Sequence, residues 1–289
     1  MIYTLKNDSL TVKIDTLGAE LISVKDREGY EYIWQGDERY WDGHAPVLFP
    51  ICGRLLGAKY TYQGVEYKMG LHGFARENEF AVKEASNEKL IFCLETTPET
   101  FKIYPFNFRL VIQYRLEGVS LFTDFKVENT GECVMPYMLG WHPGFNLWGD
   151  APIGSFYLDF GKAESLNHHP LMNGLFVNPK SKERPLDGGR LYLNEEELYK
   201  NDTLIYRDYP RFVTMSNGSD DRYISMSASE NLPYFCIWKP QTSEARLACL
   251  EPWSGVPADG ATPENFDDRE MSRLAPGKCD FFSVRTDFN

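Results

Sequence analysis

The sequence predicts an all-β protein, a large antiparallel β-sandwich with a few short helices, spanning residues 1–289 as a single domain. Three observations lead there. Short segments in which apolar and polar residues alternate recur along the whole chain, as half-buried strands require. Turn-forming residues separate these segments at short intervals. No internal repeat, low-complexity tract or compositional break marks a linker, and 289 residues is an ordinary length for one all-β unit. So many short strands in an unbroken chain point to sheet packed on sheet.

Taken in order, Leu10, Val12 and Ile14 alternate with polar neighbours and open the series. Leu21 to Val24 and Tyr30 to Trp34 follow, with Arg27-Glu28-Gly29 as a turn between them. Tyr60 to Tyr62 and Val65 to Tyr67 flank Gln63-Gly64, a two-residue hairpin signal. Phe80 to Val82, Leu90 to Leu94, Phe108 to Tyr114 and Leu121 to Val127 continue the pattern, the last two joined by a turn at Leu116-Glu117-Gly118. Further strands are expected at Gly154 to Phe160, Phe212 to Met215, Tyr223 to Met226, Tyr234 to Trp238, Leu247 to Leu250 and Phe281 to Val284. Two helices are expected, over Asn194 to Lys200 and over Pro263 to Ser272, the second opened by Thr262 as N-cap.

A chain this long buries about three quarters of the surface it exposes when unfolded, so it needs no covalent staples. Hydrophobic residues make up 43% and charged residues 25%, as in ordinary soluble domains. Aromatics reach 15%, which suits sheets and also suits a site where rings stack on sugar faces. The net charge of −12 argues against nucleic acid or an anionic membrane as partner. A neutral small molecule fits better, and a phosphorylated one would need a local cluster of arginine or lysine. None of the six cysteines (Cys52, Cys93, Cys133, Cys236, Cys249, Cys279) forms a CxxC pair, so neither a zinc site nor a redox motif is expected. Cys93, Cys236 and Cys249 lie in apolar runs and read as buried thiols. The first residues carry no export signal, and no run approaches the roughly 18 apolar residues of a membrane span. A cytoplasmic location is therefore expected.

Alternation fails in four places: Pro46 to Leu55, Met69 to Arg76, Leu139 to Leu147 and Leu250 to Pro257. Each sets a polar residue among glycines, prolines and aromatics, which is how a rigid pocket holds one reactive group. His72 and His142 read either as packed histidines or as proton carriers. The pair His168-His169, in a polar stretch, reads as solvated surface. Glu251, after the apolar Leu247 to Leu250, is either a strand-end residue facing water or a general base in a pocket, since a carboxylate there is costly unless paired or solvated. Trp253 would then form an apolar wall. Arg54 is a salt-bridge partner or a donor to oxygen.

With these residues assembled, the sequence resembles the aldose 1-epimerase family, and within it the bacterial branch associated with lactose and galactose operons. The resemblance rests on Phe49 to Leu55 (FPICGRL), Leu71 to Arg76 (LHGFAR), Gly140 to Leu147 (GWHPGFNL) and Leu250 to Gly255 (LEPWSG), which lie in the family's order. It implies a galactose mutarotase-like supersandwich that interconverts the α and β anomers of a hexose such as galactose or glucose. It places the family's base on Glu251, its acid on His142, a second active-site histidine on His72, and sugar contacts on Arg54. The family's hydroxyl-binding aspartate is matched to Asp202. No metal or cofactor is implied. The partner is a hexose or hexose phosphate, and the chain is expected as a monomer or homodimer.

Two alternatives stay open. A glycoside hydrolase usually needs two facing carboxylates, and only one stands in these motifs. A sugar-binding or regulatory module that has lost turnover is the second; it has no need of a base opposite an acid. Whether the sugar carries a phosphate is also open, because Arg54, Arg76 and Lys239 lie in or near the motifs.

Overall fold

The computed structural model describes the chain except for residues 173–175, 179, 194–202, 220 and 243. Alternation has become two large antiparallel sheets. The first has nine strands, in spatial order Arg190–Tyr192, Tyr157–Asp159, Phe212–Ser216, Ile224–Ala228, Cys279–Phe288, Ser120–Asn129, Phe108–Glu117, Lys89–Glu95 and Ala81–Ala85. The second has eight. Seven run in the order Lys182–Pro185, Ser165–His169, Thr203–Arg207, Tyr234–Trp238, Leu247–Trp253, Gly140–Trp141 and Val47–Leu48, and Gly144–Asn146 also pairs with Leu247–Trp253. A three-stranded sheet of Ile2–Lys6, Thr11–Asp15 and Leu21–Lys25 stands beside them.

The two large sheets bury their facing sides in a common core. Leu110, Ile112 and Tyr114 of one meet Phe235, Ile237, Ala248 and Leu250 of the other. Aromatic pairs bridge the layers: Phe49 and Phe108 lie 5.0 Å apart between ring centres, and Phe160 and Phe235 5.9 Å. Each fully buried Leu, Ile or Phe contributes about 1.5–3 kcal/mol of transfer free energy, which is why the pleat is obeyed so regularly.

The expected strands are present with three departures. Tyr30 to Trp34 makes only isolated bridges at Glu31 and Ile33, because the Glu31 carboxylate folds back to accept from the Val24 backbone and the Ser23 hydroxyl. Gly154 to Phe160 divides into one turn of 3₁₀ helix, Ile153–Ser155, and the strand Tyr157–Asp159. His168 and His169 belong to the strand Ser165–His169, not to a solvated loop. His169 is buried, its Nδ1 3.1 Å from the Asn178 carbonyl; with Leu166 the only aliphatic residue, this strand's period is invisible in the sequence.

The helix expected over Pro263 to Ser272 is absent. Asp259 captures the Thr262 hydroxyl and backbone N–H, and the Glu264 carbonyl and Phe266 N–H both bond to Thr61 at 2.8 Å. The chain is thereby held extended beside the Lys59–Tyr62 strand. The candidate over Asn194 to Lys200 lies outside the described residues. Among the described residues one α-helix forms, Pro98–Ile103, with a reciprocal cap between Thr97 and Thr100. No helix of the described residues is long and apolar enough to cross a membrane.

Candidate active site

Strand Leu247–Trp253 is buried along its full length, so both its faces are covered. Ala248 and Leu250 point into the core between the sheets. Cys249, Glu251 and Trp253, two apart in sequence, must share the opposite face. Neighbouring strands repeat this sorting. Ile237 and Phe235 face the core, whereas Cys236 and Trp238 face outward. There the segments that break alternation fold over the sheet and enclose a cavity of about 280 Å³, lined among others by His72, His142, Trp238, Glu251 and Trp253.

Strand register brings Glu251 and His142 together. Gly140 pairs with Trp253, and Gly144 with Cys249. These pairs share one antiparallel register, so the residue facing Glu251 on the adjacent strand is His142. Directly opposed side chains start about 4.5–5.5 Å apart at Cβ, and here the tips converge: His142 Nε2 lies 3.2 Å from Glu251 Oε2. Glu251 is fully buried and His142 nearly so. Burial, with a smaller contribution from Arg76, pushes the His142 imidazole down to about 3. The carboxylate beside it acts in the opposite sense, since an adjacent negative charge favours the imidazolium.

The two glycines of this pairing are needed for space. A Cβ on Gly140 would stand 2.6 Å from the Trp253 ring, and one on Gly144 2.6 Å from the Trp41 ring. Both distances are below any real contact, so the indoles reach the cavity only because those positions lack side chains.

His72 is held by a different device. Its backbone N–H donates to the Gly53 carbonyl at 2.9 Å, and the Gly53 backbone N–H donates to His72 Nδ1 at 3.0 Å. An Nδ1 that accepts leaves the proton on Nε2, so His72 is a neutral hydrogen-bond donor. Burial, then His142 and the two arginines Arg76 and Arg54, hold its pKa well below the usual histidine value. The residue sits at φ 64°, a left-handed conformation that costs a side-chain-bearing residue on the order of 1–3 kcal/mol. Phe49 and Gly73 form a bridge beside it, which fastens the FPICGRL segment to LHGFAR.

Arg54 is exposed and lines the cavity. Trp253 forms part of the wall, its ring 5.7 Å from that of His72. Asp202 lies outside the described residues. The structure thus brings Glu251, His142, His72, Arg54 and Trp253 to one cavity. Sequence reasoning missed Trp41, whose ring lies 5.1 Å from His142 and 5.5 Å from Trp238; it arrives from a loop with no periodic signal. Trp238 was legible in principle, since it ends an alternating strand that pairs with the Glu251 strand.

A carboxylate and an imidazole in contact at the bottom of a small cavity, with a fixed N–H donor and aromatic walls, can move protons on a polar ligand that presents an apolar face. Among the described residues, His142, Cys249 and Glu251 also have ligand atoms within 4.8 Å of one another.

Comparison with known proteins identifies the family of the chain. Residues 1–265 match the family model described as aldose 1-epimerase. The plasmid-encoded protein LacX of Lactococcus lactis subsp. lactis is 33% identical over 266 residues, covering 89% of this chain and 88% of its own. A galactose mutarotase related enzyme from Lactobacillus acidophilus superposes with a TM-score of 0.94 at 31% identity, over 100% of this chain and 97% of that one. A galactose mutarotase-like protein from Lactobacillus casei superposes equally well, 0.94 at 28% identity, with both chains fully covered. By its sequence, its two-sheet architecture and these relatives, the chain belongs to the aldose 1-epimerase family.

Proposed function

We propose that this protein is a mutarotase that interconverts the α and β anomers of a free hexose such as galactose or glucose in the cytoplasm, by acid–base ring opening. Glu251 removes the proton of the anomeric hydroxyl while His142, in the imidazolium form that the ionised Glu251 beside it favours, gives its proton to the ring oxygen. The ring C–O bond breaks and an open-chain aldehyde forms. After rotation about the C1–C2 bond, protonated Glu251 returns a proton to the carbonyl oxygen. His142 takes back the one on the attacking hydroxyl, and the ring recloses as the other anomer. Both oxygens are bonded to one carbon, so an acid and a base in contact can serve both. Burial makes the His142 imidazolium a strong acid. His72 donates to a sugar oxygen, Arg54 contacts hydroxyls, Trp253 packs against the sugar, and Asp202 is assigned a further hydroxyl.

The observation that carries this reading is the 3.2 Å approach of His142 Nε2 to Glu251 Oε2 inside the cavity. Polarimetry on freshly dissolved α-galactose and α-glucose tests it. Glu251→Gln is expected to slow mutarotation by roughly 10²- to 10⁴-fold with the fold intact. A variant as fast as wild type removes the base from Glu251. Sugar-dependent stabilisation of the wild type without faster mutarotation would make the protein a binder.

Arg54 and Arg76 in the cavity wall favour one further reading, in which the hexose carries a 6-phosphate. A panel of free and phosphorylated hexoses decides, since a phosphate-dependent enzyme would lose turnover on the free sugars.

A further inference from the structure

Cys249 is a buried thiol that ring opening does not use. It lies on the same strand face as Glu251, two residues away, and diagonally across from His142. The three ligand atoms, a sulfur, a carboxylate oxygen and an imidazole nitrogen, lie within 4.8 Å of one another, and all three residues are buried. A tetrahedral ion with bonds of about 2.0–2.3 Å holds its ligand atoms about 3.5 Å apart. The His142–Glu251 separation of 3.2 Å is already of that size, and the sulfur lies within 4.8 Å of both partners. One thiolate and one carboxylate would cancel a dication's charge, so the complex is neutral and tolerable in a buried setting. The fourth position opens on the cavity through Glu251 and His142, while Trp41 and Trp238, which line the same cavity, pack against the cluster that holds Cys249.

We propose that Cys249, Glu251 and His142 form a capture site for a thiophilic divalent cation of the zinc or cadmium class, and that occupancy switches the enzyme off. On binding, the Cys249 S–H bond breaks, its proton leaves to solvent and a sulfur lone pair bonds to the ion; nothing is oxidised or reduced. The ion then occupies the oxygen of Glu251 that would accept the anomeric proton. This inference goes beyond the proposed mutarotation and draws on the same two side chains.

The test uses the full chain and Cd²⁺ as probe, with two readouts. Thiolate-to-cadmium charge-transfer absorption and equilibrium dialysis report binding without turnover, and polarimetry reports inhibition. We expect one tightly bound ion per chain, the ultraviolet band, and inhibition relieved by a chelator. Cys249→Ala is expected to lose the band, weaken binding by about a hundredfold, the share of one ligand among four, and keep its uninhibited rate. Cys249→Ser, which retains the side-chain volume, gives the same readouts should the alanine variant fold poorly. Absence of the band in wild type, or equal inhibition of wild type and both variants, overturns the proposal. Because absorption and dialysis need no turnover, an inactive protein still reports capture, and a protein without capture leaves mutarotation standing.

Discussion

The outer faces of the two sheets are used in opposite ways. Strands Phe108–Glu117 and Ser120–Asn129 of the nine-stranded sheet alternate buried and solvent-touching residues along their length. Their water-facing side carries a charge network, Arg109 with Glu95 and Glu128, and Lys126 with Glu128, at 2.9–3.2 Å. On the eight-stranded sheet, loops cover the outer face, and strand Leu247–Trp253 is buried on both sides. A carboxylate on the first face is one more solvated charge. On the second it is held in a low-dielectric cavity against an imidazole, where its protonation has chemical consequences. The candidate site therefore lies where the sheet's wet side has been roofed over, not where charge is most abundant.

That contrast can be broken by paired substitutions. The largest difference is expected between Glu251→Gln and Glu128→Gln. The first should cost roughly 10²- to 10⁴-fold in mutarotation, whereas the second should leave turnover unchanged and alter stability by about 1 kcal/mol or less. Equal activities of the two variants would erase the distinction. Next comes Leu250→Ala, on the core face of the strand that carries Glu251. Denaturant unfolding should show a loss of about 2–5 kcal/mol, while turnover per folded molecule is kept. Gly144→Ala drives a methyl group into the Trp41 ring, and is expected to cost about 1–3 kcal/mol together with activity. A variant of full stability and rate would mean that the indole has room to yield.

A pH experiment is the subtler version. His72 is held neutral in the fold, its pKa well below the ordinary value of 6.5. Below pH 6.5 the unfolded chain binds protons that the folded one refuses. Its contribution to stability is therefore complete above 6.5 and declines as pH falls below 6.5. His72→Asn should flatten the fall in Tm between about pH 7 and pH 4; an unaltered slope means that His72 is charged in the fold. The smallest effect is expected for Arg109→Gln on the wet face, about 1 kcal/mol or less and vanishing at high salt.

Much of the fold was legible because period-two alternation is a local signal. The Gln63-Gly64 hairpin was legible for the same reason: both residues adopt positive φ, 48° and 77°, as a two-residue turn demands. The helices were not. Thr-Pro opens a real helix at Thr97-Pro98, where Thr100 returns the cap. The same dipeptide at Thr262-Pro263 opens none, because Asp259 and Thr61 claim those polar groups first. The dipeptide is the same, and Asp259, three residues upstream, together with the sequence-distant Thr61 decided between them. The site divides likewise. Glu251, His142, His72, Arg54 and Trp253 stood out as polar or aromatic residues where alternation fails. Trp41 did not, and the register that sets His142 opposite Glu251 is a property of strand pairing that no linear pattern carries.

That register has an evolutionary corollary. Because the spacing of Glu251 and His142 is set by the hydrogen-bonded ladder of a sheet, insertions or exchanges in the surrounding loops can remodel the cavity mouth without disturbing it. A slip of one position along Gly140–Asn146 would instead present Trp141 or Pro143 to the carboxylate and, on the proposed mechanism, end turnover at a stroke. The scaffold separates a part that is free to drift, the loops of the cavity mouth, from a part that tolerates no intermediate, the strand register beneath them.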